Sequence, residues 1–330
     1  MPSHVKHVAG YPGAHHSATT RELDGVSNQV EADPYNPVHL AHRGKLYLRS
    51  GHYEQALADF NRAIELNPLD ADIYGSRGNA YCDHGLHREA VADYTRAIDL
   101  DPGAATHYNN RANCYADLQL HPQALADFQR VFDLDPDYAE AYSNRGLVYT
   151  ELGNSELALA DFNRAITLDP NYIKAYYNRG LLYGKISQYE NALDDFSTMI
   201  RLRPAFIADD FYVRGKTLAH LEKYGEALSD LDRAVELDPQ HALAYCDRGY
   251  VYNKLQLYDS ALLDLERAIA LEPDSALSYV NIAVSLRQTG RLPEALPYLR
   301  RAVELRDPQY SPQAAQMLAQ AEKIFKRGRA

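Results

Sequence analysis

Four asparagines, Asn110, Asn144, Asn178 and Asn281, stand at one phase of a chain that copies itself about every thirty-four residues. A side-chain amide donates and accepts at once, so a row of amides can grip the backbone of an extended peptide without reading its sequence. The row is broken by Val213 and Asp247, and opens with His42 and Ser76. A second row carries charge. Arg43, Arg77, Arg111, Arg145, Arg179, Arg214 and Arg248 share one phase, and Asp59, Asp93, Asp127, Asp161, Asp195, Asp230 and Asp264 share another. In the last copy both change together, to Ile282 and Tyr298. Arg and Asp are therefore expected to pair within a copy, as Arg145 with Asp161 and Arg179 with Asp195, and to be structural, because partly buried charges need partners. The local alternative, each Asp serving the Arg three residues on, fails where Thr198 replaces that Arg while Asp195 stays.

Catalytic chemistry is not apparent. There is no phosphate-binding glycine loop, no H-E-x-x-H, no G-x-S-x-G and no cysteine set with zinc spacing. Cys82, Cys114 and Cys246 lie far apart and read as reduced thiols in a reducing compartment. His42, His107 and His220 occur singly, as packing or surface residues do. No metal and no cofactor is expected in the repeated part of the chain, and no enzyme activity. The N-terminal His4, His7, His15 and His16 admit two readings. A chain beginning Pro-Ser-His could hold square-planar Cu(II) or Ni(II), or these are incidental histidines in a flexible tail.

The elements that position these rows follow from one copy, residues 139–172. Tyr142, Gly146 and Tyr149 share one helical face, and Ala158, Phe162, Ala165 and Ile166 share a face of a second helix. Gly153 sits between them, where a left-handed residue ends the first helix, and Pro170 closes the second. Gly146 and Ala158 are small so that two helices joined by a short turn can cross closely. Such a period resembles the tetratricopeptide repeat family, whose Gly, Tyr, Ala, Phe and Pro offsets recur here, with Tyr for the family's Trp and Arg for its Leu. Eight units are counted: 37–70, 71–104, 105–138, 139–172, 173–207, 208–241, 242–275 and 276–309. The resemblance implies an all-α, right-handed α-solenoid of eight helix-turn-helix units. Residues 310–330 read as a C-terminal capping helix with a basic tail, Ala314, Leu318, Ala321 and Phe325 on its apolar face. Residues 1–36 read as a mostly disordered tail, with a degenerate half-unit across 20–34 as the alternative. The extra residue in Arg203-Pro204-Ala205-Phe206-Ile207 marks the fifth junction as irregular.

The resemblance also implies where binding occurs. First helices of the family line the concave face, and the Asn row is similar to the asparagine ladder of the O-linked N-acetylglucosamine transferase superhelix, which holds extended peptide. The candidate peptide-binding residues are thus Asn79, Asn110, Asn113, Asn144, Asn178 and Asn281, with Leu147, Tyr177, Leu181, Tyr212 and Tyr250 making the later units more apolar. A formal charge of −11 argues against a nucleic-acid partner, and no apolar run reaches membrane-spanning length. The expectation is a cytoplasmic, non-catalytic scaffold or adaptor binding protein or peptide, monomeric or weakly homo-oligomeric. A self-assembling structural protein or a regulatory subunit of an enzyme complex are the alternatives.

Overall fold

The computed structural model describes residues 15–327, with side chains from 21 to 324. The tail before residue 15, the imidazoles of His4, His7, His15 and His16, the Phe325 ring and the basic side chains after it lie outside the described residues. Those described contain helices and no strand, and they divide into two compact units, split after Pro170. The first holds α1 (His15–Ala32), then α2 (Pro37–Arg49), α3 (Tyr53–Leu66), α4 (Ala71–Asp83), α5 (His87–Leu100), α6 (Ala105–Asp117), α7 (His121–Leu134), α8 (Ala139–Glu151) and α9 (Ser155–Leu168). The second holds α10 (Ile173–Lys185), α11 (Tyr189–Leu202), α12 (Ala208–His220), α13 (Tyr224–Leu237), α14 (Ala242–Lys254), α15 (Tyr258–Leu271), α16 (Ala276–Gln288), α17 (Leu292–Glu304) and α18 (Ser311–Arg327). From α2 to α17 the helices form consecutive antiparallel pairs. First helices of successive pairs also touch one another, as α4 touches α6 and α12 touches α14.

Each pair is built on one crossing. A Cβ added to Gly146 would stand 2.7 Å from the Phe162 ring, and one added to Gly44 would stand 2.8 Å from Phe60. The rings themselves are fully buried, as are Ala56, Ala90, Ala124 and Ala158 beside them. Ala112 over Phe128 and Ala283 over Leu299 show that one methyl group fits where the partner side chain yields.

The turn inside each pair needs a left-handed residue. Gly51, Gly85, Gly153 and Gly290 supply it with φ near +75° (73–75°), whereas Gln119, Ser187, Glu222 and Gln256 adopt φ of 58–63° at the same phase. A Cβ in that region costs roughly 1–2 kcal/mol, and the repeat accepts the cost because its helices fix the chain direction on both sides.

The arginine row ties the pair together above the crossing. Arg145 donates Nε and Nη2 to the two carboxylate oxygens of Asp161, both at 2.8 Å. Arg179 does the same to Asp195 at 2.9 and 2.6 Å. The geometry recurs from Arg43–Asp59 to Arg248–Asp264. The Nη1 of Arg77, Arg111 and Arg248 also reaches the preceding pair, at Asn61, Thr95 and Asp232 respectively. Each such arginine therefore fixes a helix pair and couples it to its neighbour.

Three places depart from the regular pattern. Residues 15–32, within the stretch expected to be mostly disordered with a degenerate half-unit across 20–34 as the alternative, form α1. Its Val26 and Val30 are 5% and 6% exposed and cover the apolar side of α2 that would otherwise meet water. Two buried valines in a polar stretch are enough because α2 supplies the partner surface. Between α11 and α12 the link is one residue longer, and the buried Asp210 carboxylate accepts from Ile207 N at 3.1 Å and ion-pairs with Arg203 Nε at 2.9 Å. After α17, Ser311 donates its hydroxyl to the Ala302 carbonyl at 2.6 Å instead of capping α18, and Asp307 accepts from the Gln309 and Tyr310 amides. Ala314 and Ala321 then bury α18 against its predecessors. No helix among the described residues is long and apolar enough to cross a membrane.

Two predictions follow from the turn and the pair. Glu222→Gly should raise stability by about 0.5–1 kcal/mol, read as a higher denaturation midpoint, because it relieves a left-handed Cβ at some entropic cost. Asp161→Ala should destabilise by roughly 1–4 kcal/mol, less than a fully buried pair because the Arg145 side chain keeps 18% of its surface in water. Adding Arg145→Leu and Asp161→Tyr together should recover much of that, as the last pair does with Ile282 and Tyr298. A double-mutant cycle showing simple additivity would refute the coupling.

Candidate functional site

The first helices present their outward residues side by side because each repeat is a copy of the last. Neighbours across repeats therefore lie about one period apart in sequence. In the first compact unit this places the asparagines in a bonded chain. Asn79 is exposed, and its Oδ1 accepts from the Tyr94 hydroxyl at 2.6 Å and from Asn110 Nδ2 at 3.0 Å. Asn110 Oδ1 accepts from Asn109 Nδ2 at 3.1 Å, and Asn109 Oδ1 accepts from Asn144 Nδ2 at 3.2 Å. Asn109 is 1% exposed, so it lies beneath the face as a link in the chain. Tyr94 stands where neighbouring pairs have Phe60 and Phe128, and its hydroxyl is the group that anchors the chain of amides. Burial pushes its ionisation far above the ordinary phenol range. Asn113 and Leu147 lie half-buried on the same helices.

The second compact unit is different. Asn178 and Tyr177 are half-buried on α10, with Tyr177 tilted against Phe196 at 6.4 Å, and Leu181 keeps 43% of its surface exposed. Tyr250 lies under Lys254, whose ammonium is 5.4 Å from the ring centroid. Asp247 takes the asparagine position on α14. Burial holds its carboxyl above the usual range, against the pull of Lys216, the Tyr212 hydroxyl, His220 and His241. The hydrogen bond from His241 Nε2, at 3.0 Å, holds Asp209 below that range.

Two expected binding residues are not on the surface. Tyr212 is 9% exposed, because its ring packs against His241 and its hydroxyl faces Asp247. Asn281 is 7% exposed; it lies on α16, the first helix that the capping helix α18 touches. Both side chains lie below the surface of their helices, so neither Asn281 nor Tyr212 is placed for the direct contact expected of it.

All three cysteines are free thiols, but two of them meet. Cys82 and Cys114 are far apart in sequence, yet their sulfurs are 3.1 Å apart, because α4 and α6 are successive first helices. His87 Nδ1 stands 3.9 Å from Cys82 Sγ. The Cys114 and His87 contacts draw the Cys82 thiol down to about 7, while Cys82 and burial push Cys114 up. The separation of thirty-two residues is the signal that could have revealed the pair, since Asn253–Ser285 and Asp209–His241 meet at the same spacing.

If the amide chain is structural as well as exposed, its members should differ in cost. Asn109→Ala should destabilise by about 1–3 kcal/mol, since it removes both bonds of a buried amide and strands their partners. Asn144→Ala, half-exposed, should cost about 0.5–1 kcal/mol. Urea midpoints at unchanged slope check both.

Comparison with known proteins agrees with this architecture. The model described as TPR repeat matches residues 113–153, 146–187 and 215–256, and two described as tetratricopeptide repeat match 43–105 with 246–313, and 173–206. Among solved structures, the APC/C hetero-tetramer Cut9–Hcn1 is similar at 20% identity over 81% of this chain and 52% of that one, with a TM-score of 0.63. A tetratricopeptide repeat protein from Parabacteroides merdae is 21% identical over 76% of this chain and 98% of its own, with a TM-score of 0.55. PilW, a type IV pilus biogenesis factor, is 20% identical over 62% of this chain and 94% of its own, with a TM-score of 0.57. At such identities these likenesses speak for the fold. No curated protein matches the chain. The family models together span most of residues 43–313, on helix pairs with the crossing described above, and the chain belongs to the tetratricopeptide repeat family.

Proposed function

We propose that the chain is a non-catalytic scaffold or adaptor that binds extended peptide segments of partner proteins along its first helices. Proteins of this repeat family generally mediate protein–protein interaction, and the repeats carry no recognisable catalytic constellation. The observation that carries the reading is the state of the amide chain on α4, α6 and α8. Its inner groups are spent on one another, which holds the side chains in place. Its ends are not: Asn79 Nδ2 and Asn144 Oδ1 make no hydrogen bond among the described residues. A fixed donor on α4 and a fixed acceptor on α8, two repeats apart along one row, suit the recurring groups of an extended backbone. This is the sense in which the row is similar to an asparagine ladder. In the second compact unit, Leu181 and Tyr250 offer apolar surface, and Lys254 offers charge, to a segment with aromatic or amphipathic character.

A displayed library of random peptides, panned on the full chain, supplies a probe whose affinity can be titrated by calorimetry. Two net hydrogen bonds of about 0.5–1.5 kcal/mol each predict that Asn79→Ala with Asn144→Ala weakens Kd by roughly 5- to 150-fold. Asp99→Ala with Gln129→Ala, on exposed positions of second helices, should leave it unchanged. Loss of binding in the second-helix variant alone would place recognition on the opposite face and reject the reading.

A further inference from the structure

Cys82, His87 and Cys114 each offer one ligand atom, and these atoms all lie within 4.8 Å of one another. They come from three elements: the end of α4, the first residue of α5 and the last turns of α6. A fourth donor is at hand. Asp117 Oδ2, also on α6, lies 3.5 Å from the same His87 Nδ1 that faces Cys82. With metal–sulfur bonds near 2.3 Å and metal–nitrogen bonds near 2.0–2.1 Å, the ligand atoms of a tetrahedral zinc stand roughly 3.3–3.8 Å apart. The sulfur–sulfur and sulfur–nitrogen distances of 3.1 and 3.9 Å bracket that range, and rotation of the half-exposed Asp117 side chain, 3.5 Å from the imidazole, would complete the set. The burial is graded in the useful direction. Cys114 is fully buried, the His87 side chain keeps 25% of its surface and Asp117 keeps 55%, giving a closed floor and an open rim.

The repeats provide an internal comparison. No other repeat carries sulfur at the position of Cys82 or of Cys114, so packing does not demand it. The next junction keeps the imidazole and carboxylate, His121 and Glu151 at 3.9 Å, but has Ala116 and Val148 in place of the thiols. Both thiols thus occur at one junction, together with the imidazole and the carboxylate.

We propose that Cys82, His87, Cys114 and Asp117 form a tetrahedral site for one zinc ion, which cross-links the second and third repeats. Two thiolates, a neutral imidazole and a carboxylate suit a borderline-soft d10 ion better than a hard one. On binding, each thiol releases its proton to solvent, and the filled centre carries a net charge of about −1 from its three anionic ligands. The site is closed, with four protein ligands, which is the structural and not the hydrolytic form of a zinc centre.

The test uses the reduced, metal-free full chain and cobalt(II) as the probe. One equivalent should produce the intense visible bands of tetrahedral cobalt with a near-ultraviolet thiolate-to-cobalt band, and zinc should bleach both. Zinc should also raise Tm. Cys82→Ala with Cys114→Val copies the neighbouring repeat, so it should fold and abolish the spectrum. Asp117→Asn should weaken zinc binding by at least about 10-fold, since it removes an anionic ligand and loss even of an outer-shell partner costs that much. His121→Ala and Cys246→Ala should bind as the parent does. A reduced parent chain that gives no cobalt spectrum at one equivalent overturns the proposal, whether or not the variants fold. So does a spectrum that survives the double cysteine variant, or a chain that takes up copper(I) but no zinc.

Discussion

Two helices in each repeat cross where one of them has almost no side chain, and most of the structure depends on that approach. With hydrogen in place of a methyl group, the helix bearing Gly44, Gly146 or Gly180 lets the Phe60, Phe162 or Phe196 ring lie flat against its backbone. The close approach brings the arginine on the first helix within bidentate reach of the aspartate sixteen residues on, at 2.6–2.9 Å along the row. A wider crossing would leave a charge-bearing pair half-solvated and loosely held, and such pairs contribute little. The aromatic side chains beside the arginines add to the fixation, with the Arg145 guanidinium 4.5 Å from the Phe132 centroid.

The coupling between repeats is of a second kind. It is carried by side chains that reach one period back, such as Arg77 Nη1 to Asn61 and Arg248 Nη1 to Asp232. A chain built this way is stabilised by nearest neighbours, and its ends are its weak points. Both ends of the described array carry an extra helix for that reason. α1 covers α2 with two valines, and α18 covers the last pair with Ala314 and Ala321.

The outward face of the first helices is where the repeats stop being copies. Packing fixes the Gly, Ala and ring positions, so the remaining positions are open to chemistry. In the first compact unit that chemistry is a chain of amides, continued at its edge by a cluster of two thiols and an imidazole. In the second it is a carboxyl at Asp247, held protonated more readily than usual by burial, among Lys216, His220 and His241. An amide chain presents fixed dipoles, whereas a half-buried carboxyl facing Lys216 presents a charge that its surroundings regulate.

The sequence alone determined the repeat. Gly146, Ala158, Phe162 and Pro170 and their copies specify helix, crossing and stop by local geometry and by steric bulk, and these depend on neighbours within thirty-four residues. The pairing of Arg145 with Asp161 was legible too, because Ile282 and Tyr298 change in concert. What the sequence did not reveal depends on contacts between repeats or with the chain ends. α1 has only Val26 and Val30 to announce it, and becomes a helix because α2 offers a surface. Asn281 and Tyr212 share the pattern of exposed residues, yet are buried, Asn281 on the helix that α18 touches and Tyr212 against His241. Cys82 and Cys114 look scattered until parallel first helices bring their sulfurs to 3.1 Å. Periodicity specifies which residues share a helix face; only the stacking of one repeat on the next decides which of them touch.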